Sequence, residues 1–236
     1  TVVSKDIQQT IKEKFGEDIL TEVISMGVDS ELFNPDKKDD QLREKCGISG
    51  PFLLFVGRLT EKKGARYLIE SMPAILKDFP ESKLLIIGTG EQHQGLISLA
   101  NSSGLQESVI FAGAIPNNEL PEYFATADIF IGPSIQAGGG DTEGFGLTFV
   151  EAGVSGCIVI GTDVGGIGDI IEHGKTGFLV KEKNPAAIAD VLVSILGDEQ
   201  KLAGIRKNAR KKMVSQFDWQ SIADQYALLL KSASAP

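Results

Sequence analysis

Short, apolar runs alternate with amphipathic stretches along most of this chain. The runs are TVVS (1–4), EVISMG (22–27), FLLFVG (52–57), KLLIIG (83–88), VIFAG (109–113), IFIGPS (129–134) and CIVIGT (157–162). Several lack the apolar–polar alternation of a half-exposed strand, which predicts a parallel sheet buried on both faces. Between them, ARYLIESMPAILKDF sets Leu68, Ile69, Met72, Ile75, Leu76 and Phe79 at three- and four-residue steps, the period of an amphipathic helix. Strands in alternation with helices predict an α/β fold, a doubly wound parallel sheet with helices on both faces. From about Pro185 to Ser232 the pattern becomes three helices in succession.

That fold class says where to look for a ligand, because open parallel sheets bind at the carboxyl ends of their strands. The loops predicted there are rich in glycine: GRLTEKKG (57–64), GTGEQHQG (88–95), AGGGDTEGFG (137–146) and DVGGIGD (163–169). Any one of them reads equally well as a turn with a positive φ. Four on one edge point to a surface that a phosphate or nucleotide approaches.

Composition narrows the ligand class. A net charge of −9 argues against nucleic acid, whose backbone is bound by net-basic surfaces, but leaves room for a small phosphorylated molecule. Charged residues at 23% and hydrophobic residues at 42% are ordinary for a globular chain of 236 residues. Cys46 and Cys157 have no neighbours at zinc-ligand spacing and read as unpaired thiols of a cytoplasmic protein. No apolar run reaches the roughly 20 residues of a membrane span, and no signal-peptide pattern is present. Thr1 stands in place of a methionine and TVVS is already strand-like, so the chain is expected to begin inside a larger protein.

Several tempting motifs fail. HGKTG (173–177) has Asp169 where a phosphate-binding P-loop requires its first glycine, and GTGEQH has His93 where a dinucleotide fingerprint requires its third. Neither His93 nor His173 has a Ser or Cys partner suited to a hydrolytic triad. His173, followed by Gly174, predicts a helix end with the imidazole near its carbonyls. IRKNARKKM (205–213) places Ile205, Ala209 and Met213 on a stripe with Leu202, which makes its charges the solvated face of a helix.

Two stretches hold. A predicted strand ends at Gly57, and Arg58 and Lys63 follow before the next helix. The planar fork of arginine and the point charge of lysine suit a diphosphate, although a surface charge pair is an equal reading of the same residues. In DTEGFGLTFVEAG (141–153) a helix is expected from near Gly146, with the amides of Phe145 to Thr148 unpaired at its N-terminus, where anions are favoured. Glu143 precedes that helix and Glu151 lies inside it, within a run otherwise built for burial. A buried carboxylate needs hydrogen-bond donors, and sugar hydroxyls are such donors.

GRLTEKKG, together with E-G-F-G-L-T-F-V-E-A, resembles the retaining GT-B glycosyltransferases of the glycogen-synthase-like and sucrose-synthase-like group. The resemblance extends through VISMGVDSELFNP, PEYFATADIFIGPS, DVGGIGDIIEHGKTGFLV and NARKKMVSQFDWQSIADQY, nearly the whole chain. It implies the second, Rossmann-like domain of a GT-B fold, with residues 1–216 binding a nucleotide-sugar donor and 217–236 forming a closing helix. Arg58 and Lys63 would hold the diphosphate and stabilise it as leaving group without a metal or cofactor, aided by the amides of Leu147 and Thr148. Glu143 would accept from the transferred sugar, under Gly144, Phe145 and Gly146, and Glu151 from the ribose. The catalytic set is thus Arg58, Lys63 and Glu143. Gly57 would belong to the binding set, Gly88 would let backbone approach the ligand, and Ile115 would flank the base. UDP is the first expectation for the nucleotide, with GDP or ADP as alternatives.

The family's first domain, which binds the acceptor and carries a histidine near the reaction centre, has no counterpart in this sequence. The link from Pro133-Ser134 to Glu143 is longer than usual, Met26 stands where asparagine is common, and Gly168-Asp169 where proline-glutamate is common. Two other functions share the pattern: a non-catalytic nucleotide-sugar-binding module, and a sugar-nucleotide epimerase on the same fold.

Overall fold

The computed structural model describes residues 1–233. Six strands form one fully parallel sheet: β1 (Phe52–Val56), β2 (Lys83–Ile87), β3 (Val109–Gly113), β4 (Ile129–Gly132), β5 (Ile158–Thr162) and β6 (Phe178–Val180). Their order is β3-β2-β1-β4-β5-β6. The chain first winds outward from β1 to β3, then returns to the other side of β1 with β4. The β1–β4 junction is therefore the topological switch point, where loops part and leave a crevice.

Every residue of β1 is buried, yet its side chains alternate between two cores. Leu53 and Phe55 join the layer of α3 (Ala65–Asp78), α4 (His93–Ser102) and α8 (Pro185–Ile195). Phe52, Leu54 and Val56 face the opposite layer of α5 (Leu120–Thr126), α6 (Leu147–Val154) and α9 (Glu199–Phe217). Two covered faces explain why the strands read as continuous apolar runs. Short helices α1 (Lys5–Phe15), α2 (Asp40–Lys45) and α7 (Ile167–Ile170) and the C-terminal α10 (Trp219–Ala233) complete the fold.

The expected three closing helices are α8, α9 and α10. Of the region 217–236, residues 234–236 lie outside the described residues. On α9, Leu202, Ile205, Ala209 and Met213 are buried as the stripe predicts. Its charges are not all free in water, however. Arg210 donates to the Val154 carbonyl, and Lys212 pairs with Glu172 at 3.0 Å.

Three local expectations are corrected. TVVS and EVISMG meet in one isolated bridge, Val2 to Val23, instead of forming sheet strands. They lie outside the βα alternation, with no neighbouring strand to extend the pairing. The strand run did not include β6, whose three residues are too short to stand out by pattern. His173 ends no helix, because α7 stops at Ile170. It pairs with Gly177 across a tight turn, and its Nδ1 accepts from the Leu179 N–H at 3.1 Å.

Candidate functional site

All four glycine-rich loops leave the carboxyl edge of the sheet and pack against one another. The loop after β1 forms a short 3-10 turn, Glu61–Lys63. Its backbone is tied to the loop after β2 by Leu59 N–H to the Thr89 carbonyl, 2.8 Å. It is tied to the loop after β4 by Ile135 N–H to the Lys62 carbonyl, also 2.8 Å. Gly88, at φ +137°, shows why glycine stands there: a Cβ would lie 1.9 Å from the Gly57 carbonyl oxygen. The close approach is to the protein's own backbone.

Gly57, Arg58, Gly88 and Ile115 are brought together around one hollow of about 210 Å³, with Thr89 and Asn117. Arg58 is exposed and, among the described residues, meets no carboxylate in an ion pair. On its other side lies a second hollow of about 370 Å³, lined by Thr60, Glu61, Lys62, Glu91 and Asp141. A larger hollow of about 650 Å³ beside α9 is walled chiefly by the stems of Arg206, Lys207, Arg210 and Lys211. Size alone does not mark the site; convergence of the strand-end loops does.

Lys63, from the loop after β1, and Glu143, from the loop after β4, meet in a direct ion pair across the switch point. Both are largely buried, with side chains 19% and 13% exposed. Glu143 is held from behind by the loop after β5. Gly166 N–H donates to the Glu143 carbonyl at 2.9 Å, and at Gly165, φ +58°, a Cβ would fall 1.9 Å from that same oxygen.

Gly144, Phe145 and Gly146 form the turn into α6. Gly146 is left-handed, φ +96°, and no side chain caps the helix. The amides of Leu147 and Thr148 thus stand at an uncapped helix N-terminus, an anion-favouring position. The Phe145 ring turns into the core, centroid 5.5 Å from that of Phe217, so only its backbone faces the loop.

Glu151 lies one turn further along α6. Burial holds its carboxyl well above the usual range, pushed up to about 7. Among the described residues no hydrogen bond or ion pair reaches that carboxylate, nor does it touch Lys63 or Glu143 in this way. No cluster of metal-ligating side chains occurs among the described residues.

Sequence reasoning missed the second ion pair beside the first, Lys62 Nζ to Asp141 Oδ1 at 3.0 Å. The partners stand 79 positions apart, and no periodicity connects them. It also missed Thr60 and Thr142, whose buried hydroxyls lack a hydrogen-bond partner in loops that are otherwise well tied. Their one sequence signal is position: each stands within three residues of a singled-out charge.

Residues 37–212 match the family described as glycosyl transferases group 1. The chain belongs to that family. A curated relative from Mycobacterium tuberculosis, a GDP-mannose-dependent alpha-(1-6)-phosphatidylinositol monomannoside mannosyltransferase, is 30% identical over 238 residues, which is 100% of this chain and 62% of the relative. Among solved structures, Anabaena HepE in complex with UDP and glucose superposes with a TM-score of 0.87 at 28% identity, over 98% of this chain and 62% of that one. The C-terminal domain of a Francisella tularensis glycosyl transferase group 1 protein is matched along 100% of its length, at 29% identity and TM-score 0.72, by 82% of this chain. This group 1 glycosyltransferase chain thus has the Rossmann-like sheet of GT-B glycosyltransferase structures and spans about three-fifths of the full-length relatives it matches. No helix among its described residues is long and apolar enough to cross a membrane.

Proposed function

We propose that this chain is the donor-binding part of a retaining glycosyltransferase, of the glycogen-synthase-like and sucrose-synthase-like group, acting on a nucleoside-diphosphate sugar. The observation that carries the reading is the meeting of Lys63 and Glu143 at the switch point, beside exposed Arg58 and the uncapped start of α6. Cations and helix amides suit a diphosphate, and a carboxylate suits sugar hydroxyls. The UDP, glucose and GDP-mannose named for the relatives support a nucleotide-sugar ligand, with UDP first and GDP or ADP as alternatives.

In the proposed reaction the bond from the anomeric carbon to the diphosphate oxygen breaks, and its electron pair stays on the diphosphate. The acceptor oxygen bonds to the anomeric carbon, and its proton passes to the departing diphosphate. Arg58 and Lys63 stabilise the charge that builds there, with the Leu147 and Thr148 amides, so the step needs no metal. Gly57 and Gly88 keep the strand ends low beneath the ligand. Glu143, below Gly144, Phe145 and Gly146, orients the sugar; Glu151 accepts from the ribose, and Ile115 flanks the base. Residues 1–216 form the donor domain, and α10 is its closing helix. A separate acceptor domain completes the cleft, and without it the chain does not turn over.

The test is transfer by the full-length protein, with the anomeric configuration of the product read by NMR. The reading expects retention, and loss of turnover by at least about a hundredfold in Arg58→Ala, the size typical of removing a charge-stabilising donor. Inversion, or normal turnover in Arg58→Ala, contradicts it.

A further inference from the structure

Lys63 carries one positive charge, and Glu143 already sits on it. We propose that Glu143 competes with the donor's diphosphate for Lys63. The site then holds a nucleoside-diphosphate sugar tightly and the bare nucleoside diphosphate weakly. This rests on the donor-site reading above and adds a selectivity that the two residues' separate roles do not contain.

The argument is electrostatic. The lysine ammonium has three donors, so a phosphate oxygen can approach Nζ while Glu143 remains. Whether or not the pair parts, the phosphate either shares Lys63 with a carboxylate beside it or displaces that carboxylate from its cation. Both arrangements oppose binding, and burial of the two side chains limits relief by salt. The loop cannot simply carry Glu143 away. Its backbone is fixed by Gly166 N–H on the Glu143 carbonyl and by Ile135 N–H on the Lys62 carbonyl. The Lys62–Asp141 pair ties the same two loops beside it. Glu143 is left with side-chain rotation, at the place where a sugar joined to the diphosphate would lie.

An attached sugar reverses the sign. Its hydroxyls donate to Glu143 and replace the hydrogen bond that Lys63 gave, so the carboxylate becomes a partner of the ligand. After transfer the sugar is gone while the diphosphate remains, and Glu143 again opposes it. Donor capture and release of the spent nucleotide thus follow from one carboxylate on one lysine.

Calorimetric titration of the chain with UDP, GDP and ADP, and with UDP-glucose, GDP-mannose and ADP-glucose, tests this. E143Q keeps the shape and removes the charge. It is expected to bind the preferred bare nucleoside diphosphate about tenfold more tightly than the unaltered chain, the scale of one hydrogen bond to a charged group. It should bind the sugar conjugate no more tightly, so the preference for the conjugate collapses. In a K63M background the gain should be smaller, because only direct repulsion between carboxylate and phosphate is then left to relieve. Unchanged or weaker binding of the bare nucleotide to E143Q overturns the competition and leaves the donor-site reading standing, provided the unaltered chain binds a conjugate. Equal tightening in the K63M background overturns it too. If the unaltered chain binds none of the six compounds, the donor-site reading fails first. Should E143Q not fold, E143A carries the same comparison with the same outcomes.

Discussion

Glu151 is a carboxylate whose chemistry the fold sets through burial. Sequence marked it as a carboxylate inside a run built for burial, and burial does raise its pKa, to about 7 from 4.5. Below 4.5 the carboxyl is protonated in both the folded and the unfolded chain, and the fold loses nothing. Between 4.5 and 7 the unfolded chain gives up the proton first, so stability falls as pH rises. Above 7 the whole penalty, about 3 kcal/mol as an upper bound, is present. Denaturant unfolding of Glu151→Gln should therefore show greater stability than the unaltered chain at pH 8 and little difference at pH 4. A difference that grows towards low pH contradicts the assignment. In the proposed role, ribose hydroxyls donating to Glu151 would favour its ionised form, so donor affinity should fall as pH drops below 7, and Glu151→Gln should flatten that profile. Other site facts were invisible at this scale. Arg58, Lys63 and Glu143 were legible as charges beside glycine, but the resemblance assigned Lys63 to phosphate and Glu143 to sugar without their contact. The pair bridges 80 positions, a distance at which no local pattern speaks.

Among the elements, α6 is the one on which the candidate site stands, and its start was readable because Gly146 precedes an apolar helical run. What fixes its position is a packing fact. The Phe149 ring meets Phe130 edge-on at 5.1 Å and lies over Gly132 and Gly161, where an added Cβ would come within 2.4 and 2.9 Å of it. Glycine on β4 and β5 thus makes the bed for the aromatic ring. Phe149→Ala should cost about 3–5 kcal/mol, as large-to-small changes of buried aromatics do. It should also weaken nucleotide binding by freeing the start of α6. A thermal melt and a titration check both effects, and unaltered values in either contradict this role. The other elements divide by length and by coverage. Strands β1, β2, β4 and β5 were plain because burial on both faces leaves no polar interruption. The three-residue β6 was not, and TVVS and EVISMG looked like strands because apolar composition does not say whether a pairing partner exists. The histidine turn at 173–177 was misread because a His-Gly pair closes helices and tight turns alike.

At the scale of the molecule, the strand order places the loops after β1 and β4 on either side of the switch point, and those loops carry the charges that matter. Sequence alternation implied the doubly wound class but not the order of strands, since crossovers leave no mark in periodicity. A chain of net charge −9 thus places exposed Arg58, the Lys63–Glu143 pair and an uncapped helix start on the strand-end loops about the switch point. Such a local anion site is the central claim, and binding tests it without requiring the acceptor side of any reaction. The deciding measurement is calorimetric titration of the chain with UDP-, GDP- and ADP-sugars. The account predicts that at least one binds with submillimolar affinity and that Glu151→Ala weakens it by about tenfold, one hydrogen bond to a charged group. No binding at millimolar concentration, or binding unchanged in Glu151→Ala, would contradict it.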